Sequence, residues 1–268
     1  MTKPYYILDI PAEEYHADAR AGRFLSSHLL GDFRKCPLLY RMKTTGKAEN
    51  EESAAFLLGR ATHALILEGD KAYREQFAVS DGPVNPKTGT AYGRATKAYA
   101  EWAKGQTLPV LSTKEHGFIL SLRDAVALHF DASRLLSGGF PEGTVRTNYE
   151  GEPCQIRMDY FSEKNGIVDL KTCDDIDFFT RDFRRYGYAY QLAFYRAILQ
   201  EVSGHEYPVH VVAVEKREPR RVGVWRLFPL MLDEAEEQNR AAISYLHRCR
   251  AESRWPTGYE GVRDIIEL

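Results

Sequence analysis

The residues best suited to chemistry are Asp159 and the run Asp169-Leu170-Lys171. Residues two apart in a strand share a face, so Asp169 and Lys171 should project side by side, with Leu170 pointing into the sheet. If 154–161 and 166–171 pair as a hairpin, Asp159 comes close to Asp169. Two neighbouring carboxylates repel unless a divalent cation lies between them, and such oxygen-rich sites suit Mg²⁺ or Mn²⁺. A lysine beside that cation can orient or deprotonate water, or neutralise charge on a phosphate. A bare DxK triplet is common, and a surface hairpin with scattered charges is the plain alternative. The apolar neighbours Ile167, Val168 and Leu170 argue instead for a buried strand. Buried Asp and Lys are unusual without partners.

Three further positions could join this cluster. Gln191 and Tyr195 in YGYAYQLAFYRAILQ are four apart and share a helix face, with Tyr188 one turn earlier. That face could look back at Lys171, although an aromatic stripe is more often core packing. His63 lies in GRATHALILEG among small and apolar residues. Such a histidine is usually a core residue, but imidazole also ligates Mn²⁺ and is tolerable for Mg²⁺.

The elements that must hold these groups read as follows. Helices are expected from a Ser26 or Ser27 cap to Pro37, from Ser53 to about Gly69, over 93–104 and 113–135, over 178–201, and over 231–252. Residues 44–52 and the Gly/Pro-rich stretch 79–92 read as loops. After Gly138-Gly139 the texture changes to three strands, broken near 150–153 and at Lys164-Asn165-Gly166. Two more strands are expected at 209–216 and 221–230. This order predicts one α/β domain with a mixed sheet: a mainly helical part over 1–135, a sheet-containing part over 140–230 and a final helix.

Composition narrows the function. With 36 basic and 38 acidic residues the formal charge is −2, which excludes a histone-like binder but not local basic patches. No apolar run approaches the ~18 residues of a membrane span, and the N-terminus lacks the apolar core of an export signal. A cytoplasmic protein is expected. Cys36, Cys154, Cys173 and Cys249 form no CxxC pair and are expected as reduced thiols. The phosphate-loop, HExxH and GxSxG patterns are absent.

The segments HADARAGRFLSSHLLGDFRKCPLLY, GRATHALILEG, IRMDYF, IVDLKT and YQLAFYRAIL stand in the order found in RecB-like members of the PD-(D/E)XK nuclease superfamily. The opening PYYILDIPAEEYH and the serine-containing helix resemble most the RecE (exodeoxyribonuclease eight) type of nuclease domain, and the resemblance spans about 5–230. His63, Asp159, Asp169, Lys171, Gln191 and Tyr195 match the pattern H…D…DxK…QxxxY. No single motif is specific; the ordered set is.

The resemblance implies a PD-(D/E)XK core, a central mixed sheet flanked by helices, and a metal-dependent deoxyribonuclease. It implies that His63, Asp159, Asp169 and the carbonyl of Leu170 bind Mg²⁺, with Mn²⁺ able to substitute. Lys171 would position and activate water, and Gln191 and Tyr195 would support the lysine or touch phosphate. The implied activity is 5′→3′ digestion of duplex DNA from a free end, leaving 3′ single strands for an annealing protein of the RecT type. The relatives that form rings imply a homo-oligomer, with 231–252 and the N-terminal helices as contact surfaces. Some RecB-like relatives hold an iron–sulfur cluster through four cysteines; the cysteine spacing here predicts none. That spacing also counts against a RecB-like enzyme trimming single strands. A retired nuclease fold that only binds DNA is disfavoured by the intact charged cluster. Among the basic residues, Arg94, Arg181, Arg184 and Arg185 are the candidates for DNA contact, the last three because they adjoin the DxK strand.

Overall fold

The computed structural model describes residues 3–48 and 54–262. Five helices come first: α1 (Ala12–Arg20), α2 (Ser27–Lys35), α3 (Pro37–Thr44), α4 (Ala54–His63) and α5 (Gly69–Gln76). A π-helical turn, Ala64–Glu68, joins the last two. Ser26 caps α2 by accepting from the Leu29 N–H, as its position predicts. Pro37 takes the first turn of α3, where a missing N–H costs nothing. The expected start of α4 at Ser53 lies outside the described residues.

A short parallel pair, β1 (Ala78–Val79) and β2 (Val110–Leu111), brackets the Gly/Pro-rich loop and α6 (Lys97–Lys104). The helix expected over 113–135 divides into α7 (Thr113–Leu128) and α8 (Phe130–Leu135), because His129 turns extended and caps the second helix. The main sheet is built from β3 (Phe140–Tyr149), β4 (Glu152–Ser162), β5 (Gly166–Cys173), β6 (Val209–Glu215) and β7 (Val222–Arg226), adjacent in that order. All neighbours are antiparallel except β5 and β6. Their parallel pairing requires a crossover. It is made by α9 (Phe179–Arg185) and α10 (Tyr188–Ser203), with α11 (Pro229–Ala251) closing the chain. The single helix expected over 178–201 is therefore two, parted by Gly187 at φ +70°. The last strand stops at Arg226, four residues short of the expected 230, because Pro229 already opens α11.

One face of the sheet meets α2, α10 and α11 in a core that runs from Ile7 to Cys249 and includes Phe33, Val145, Ile156, Phe194 and Ile243. The other face, with Val168, Leu170, Val212 and Val214, packs on Leu122, Val126 and Leu135 of α7 and α8. Strand β5 is thus covered on both sides, which explains its near-continuous apolar run. Among the described residues, no helix is long and apolar enough to cross a membrane. The four cysteines are free thiols on separate elements, and Cys154, Cys173 and Cys249 are buried.

Candidate metal centre

The carboxylates converge through strand register. Val145 pairs with Ile156 and Gly143 with Met158, a register that sets Glu142 across from Asp159. Tyr160 pairs with Val168, a register that sets Asp159 across from Asp169. One row across three strands therefore carries Glu142, Asp159 and Asp169. The row is irregular. Glu142 adopts φ +53°, a left-handed conformation that costs a residue with a Cβ about 1–2 kcal/mol. On β4, Ile156 and Met158 enter the large core before Asp159, and Phe161 enters it after, so the alternation of faces slips at Asp159. Such breaks re-aim side chains beside functional sites.

Asp159 Oδ2 accepts a hydrogen bond from the Leu170 N–H at 2.8 Å. This bond ties the first carboxylate to the backbone of the DxK run. His63 Nδ1 lies 3.6 Å from the same oxygen. His63 is the last residue of α4, where the chain widens into the π-helical turn, a local form frequent at functional sites. His63, Glu142 and Asp159 offer ligand atoms that all lie within 4.8 Å of one another.

Asp169 is 1% exposed, and neither carboxylate oxygen makes a hydrogen bond of sound geometry. Lys171 Nζ stands 2.6 Å from Oδ2, as an oblique ion pair. Burial pushes the Asp169 carboxyl above its usual range against the pull of Lys171, and Asp159 adds to the push. Burial works to lower Lys171 as well, but Asp169 and Asp159 outweigh it and hold the ammonium charged. Glu142 is pushed up to about 7 by burial and by Asp159. Arg157 steadies it at 2.6 Å and donates at 2.8 Å to the Ile10 carbonyl.

The arrangement fits a divalent cation. A buried carboxylate with orphaned oxygens costs several kcal/mol unless a positive partner meets it. One ammonium cannot balance Asp159 and Asp169 together. The donor set of carboxylate oxygens plus one imidazole suits Mg²⁺ or Mn²⁺.

Of the residues singled out from the sequence, the structure brings His63, Asp159, Asp169, Leu170 and Lys171 together at one end of β4 and β5. Gln191 and Tyr195 do share a face of α10: the Gln191 side-chain amide donates to the Tyr195 hydroxyl at 3.0 Å. Asp159 and Asp169 are close enough to help raise the Tyr195 phenol, after burial itself. The ring nearest Lys171 is another one, Tyr188, whose centroid is 4.9 Å from Nζ.

Sequence reading missed Glu142. A lone Glu ahead of a strand carries no motif, and only the register of β3 on β4 exposes its place. Of the candidate DNA contacts, Arg94 is engaged by Glu115 and the Val110 carbonyl, which fasten the 79–96 loop to α7. Arg181 lies 3.7 Å from Asp182. Arg184 and Arg185 are exposed, with no carboxylate within ion-pair distance among the described residues.

A five-stranded mixed sheet with one parallel pair, helices on both faces and D…DxK across the central strands defines a PD-(D/E)XK-like nuclease fold. The chain belongs to the family described as PDDEXK-like domain of unknown function (DUF3799), whose model matches residues 26–265. Among solved structures it is similar to a protein from Eubacterium rectale named "Putative exonuclease". That likeness has TM-score 0.68 and 16% identity, and covers 97% of each chain. No curated protein sequence matches.

Proposed function

We propose that the protein is a metal-dependent deoxyribonuclease, a phosphodiester hydrolase that digests duplex DNA exonucleolytically from a free end in the 5′→3′ direction. The observation that carries the reading is the orphaned, buried carboxylate of Asp169, set beside Asp159, His63 and a charged Lys171. The resemblance to RecE-type nucleases supports the direction of digestion.

His63, Asp159, Asp169 and the Leu170 carbonyl would hold Mg²⁺, with Mn²⁺ as a substitute, and Glu142 is within reach to assist. Bound there, the ion would supply Lewis acidity to a phosphoryl oxygen and lower the pKa of water. Lys171 is held charged by Asp169 and Asp159, so it donates hydrogen bonds and does not accept a proton. Its role is to orient the attacking water and to offset the charge that builds on the phosphate in the transition state. The Leu170 N–H fixes the orientation of Asp159. Gln191 and Tyr195 brace one another below the site and keep that end of α10 in place.

The same reading carries an assembly and a partner. A ring of identical subunits around the duplex would give long digestion to a chain of net charge −2, and the 3′ strands would pass to an annealing protein of the RecT type. The apolar stripe of α11 offers little to such contacts, since Leu232, Ile243 and Leu246 are spent in the core.

The test is digestion of duplex DNA labelled separately at each 5′ and 3′ end, with Mg²⁺, Mn²⁺ or chelator. Early loss of the 5′ label with a divalent ion, and none with chelator, is expected. Label release that ignores chelator, or that begins at the 3′ end, overturns the metal assignment or the direction respectively. Light scattering at micromolar concentration tests the ring, which a strictly monomeric mass would dismiss.

A further inference from the structure

The crossover between β5 and β6 does more than connect strands. Helix α9 is anchored by Phe179 and Phe183, both buried, with Phe179 packed 4.6 Å from Trp225. At ~100° per residue, Arg181, Arg184 and Arg185 fall within about 100° of one another, roughly opposite those anchors. Phe178 and Tyr186, at the two ends of α9, are 49% and 59% exposed. Large exposed rings normally need a reason, and these stand among cations: Arg181 lies 4.6 Å over Phe178, and Arg185 5.6 Å from the centre of Tyr186.

Beyond Gly187 the series turns inward. Tyr186 and Tyr188 lie with centroids 5.7 Å apart and planes tilted by 33°. Tyr188 in turn faces Lys171 Nζ at 4.9 Å. Guanidinium, exposed ring, half-buried ring and buried ammonium thus form one continuous track from solvent to the metal centre.

We propose that this track binds the single-stranded end of the DNA that is being cut, with an unpaired base stacked on Tyr186 and backbone phosphates on Arg184 and Arg185. The proposal rests on the nuclease reading and adds to it the state of the strand at the site. A flat, exposed tyrosine face offers stacking to a base only when that base is unpaired, because a duplex interior presents edges and phosphates. Rings alternating with cations match a strand that alternates bases with phosphates. Arg184 and Arg185 have no carboxylate within ion-pair distance among the described residues, so their charge is open to phosphate. The track also ends at Lys171, which ties it to the chemistry.

The experiment is binding of a short fluorescein-labelled single-stranded oligodeoxynucleotide to the full chain in chelator, where cleavage plays no part. Tyr186→Ala should weaken binding about tenfold or more, the scale on which loss of one stacked base acts. Tyr186→Phe should restore it, since the ring and not the hydroxyl stacks. An oligonucleotide of abasic residues should bind wild type as weakly as the normal one binds Tyr186→Ala, and Tyr186→Ala should not distinguish the two. Joint replacement of Arg184 and Arg185 by Ala should flatten the slope of log K against log salt by about 1.4, at ~0.7 per single-strand phosphate. Tyr186 is largely exposed, so these variants should keep the fold, which circular dichroism verifies.

Wild-type affinity in Tyr186→Ala, insensitivity of wild type to missing bases, or no binding of the oligonucleotide by wild type would each overturn the track. Because the readout is binding, the two readings fail separately. Base-dependent binding without any cleavage leaves the track and removes the nuclease; cleavage without base dependence does the reverse.

Discussion

With its side chain 1% exposed and its oxygens lacking sound hydrogen bonds, the Asp169 carboxylate is held by its backbone and by Lys171. Asp169→Asn keeps the shape and removes the charge that a cation needs. Hydrolysis should fall by about 10³-fold or more, the several kcal/mol that metal-borne charge stabilisation supplies. Near wild-type cleavage would remove Asp169 from the centre. Lys171→Ala should behave differently. A donor that acts as charge develops lowers kcat more than ground-state binding, so kcat should drop about 10²–10³-fold while DNA affinity changes little. Weakened binding with unchanged kcat would demote Lys171 to a phosphate contact. At this scale most of the centre was legible in the sequence. The DxK run, Asp159 and His63 lie in local patterns with strand or helix periodicity. Glu142 and Tyr188 were harder to see. Glu142 owes its place to a strand register that only the fold sets. Tyr188 looked like packing beside Gln191, yet it is the ring that meets Lys171.

The elements that carry the site were legible where one physical signal dominated, and less so where two competed. Asn165-Gly166 marked the β4–β5 turn, and the strands on either side of it follow the expected positions. Helix boundaries failed at His129 and Gly187, where an unbroken apolar periodicity concealed a change of direction. Strands β1 and β2, with two residues each, carry no periodicity that sequence can reveal. Gly166 shows how tightly these elements are set. It sits at φ +73°, and an added Cβ would lie 2.0 Å from the Pro208 carbonyl oxygen at the mouth of β6. The neighbouring Ile167 N–H donates to that same carbonyl at 3.0 Å. Gly166→Ala should therefore destabilise by about 2–4 kcal/mol, combining left-handed strain with a backbone clash that cannot relax cheaply. Urea unfolding checks it. A loss below about 0.5 kcal/mol would show that the β5–β6 junction gives way easily.

On the scale of the whole molecule, the centre is a meeting point of distant chain segments. His63 arrives on α4, Glu142 on β3, Asp159 on β4 and Asp169 on β5, so a span of the chain from 63 to 169 must fold before the donors meet. An unfolded chain holds no such set, and cation binding is therefore linked to global unfolding. Free Mn²⁺ at 100 times its dissociation constant should add about 2.7 kcal/mol of stability. For a chain of this size, each kcal/mol moves Tm by about 2–4 °C, so Tm should rise by about 5–10 °C. Asp159→Asn should abolish most of the rise, because Asp159 stands in the middle of the row and touches both His63 and the Leu170 N–H. The shift is read by calorimetry with no DNA present, and so it reports on the centre independently of cleavage. An unchanged Tm at Mn²⁺ concentrations that support digestion would mean that the ion is held mainly by the DNA, with the four side chains as bystanders.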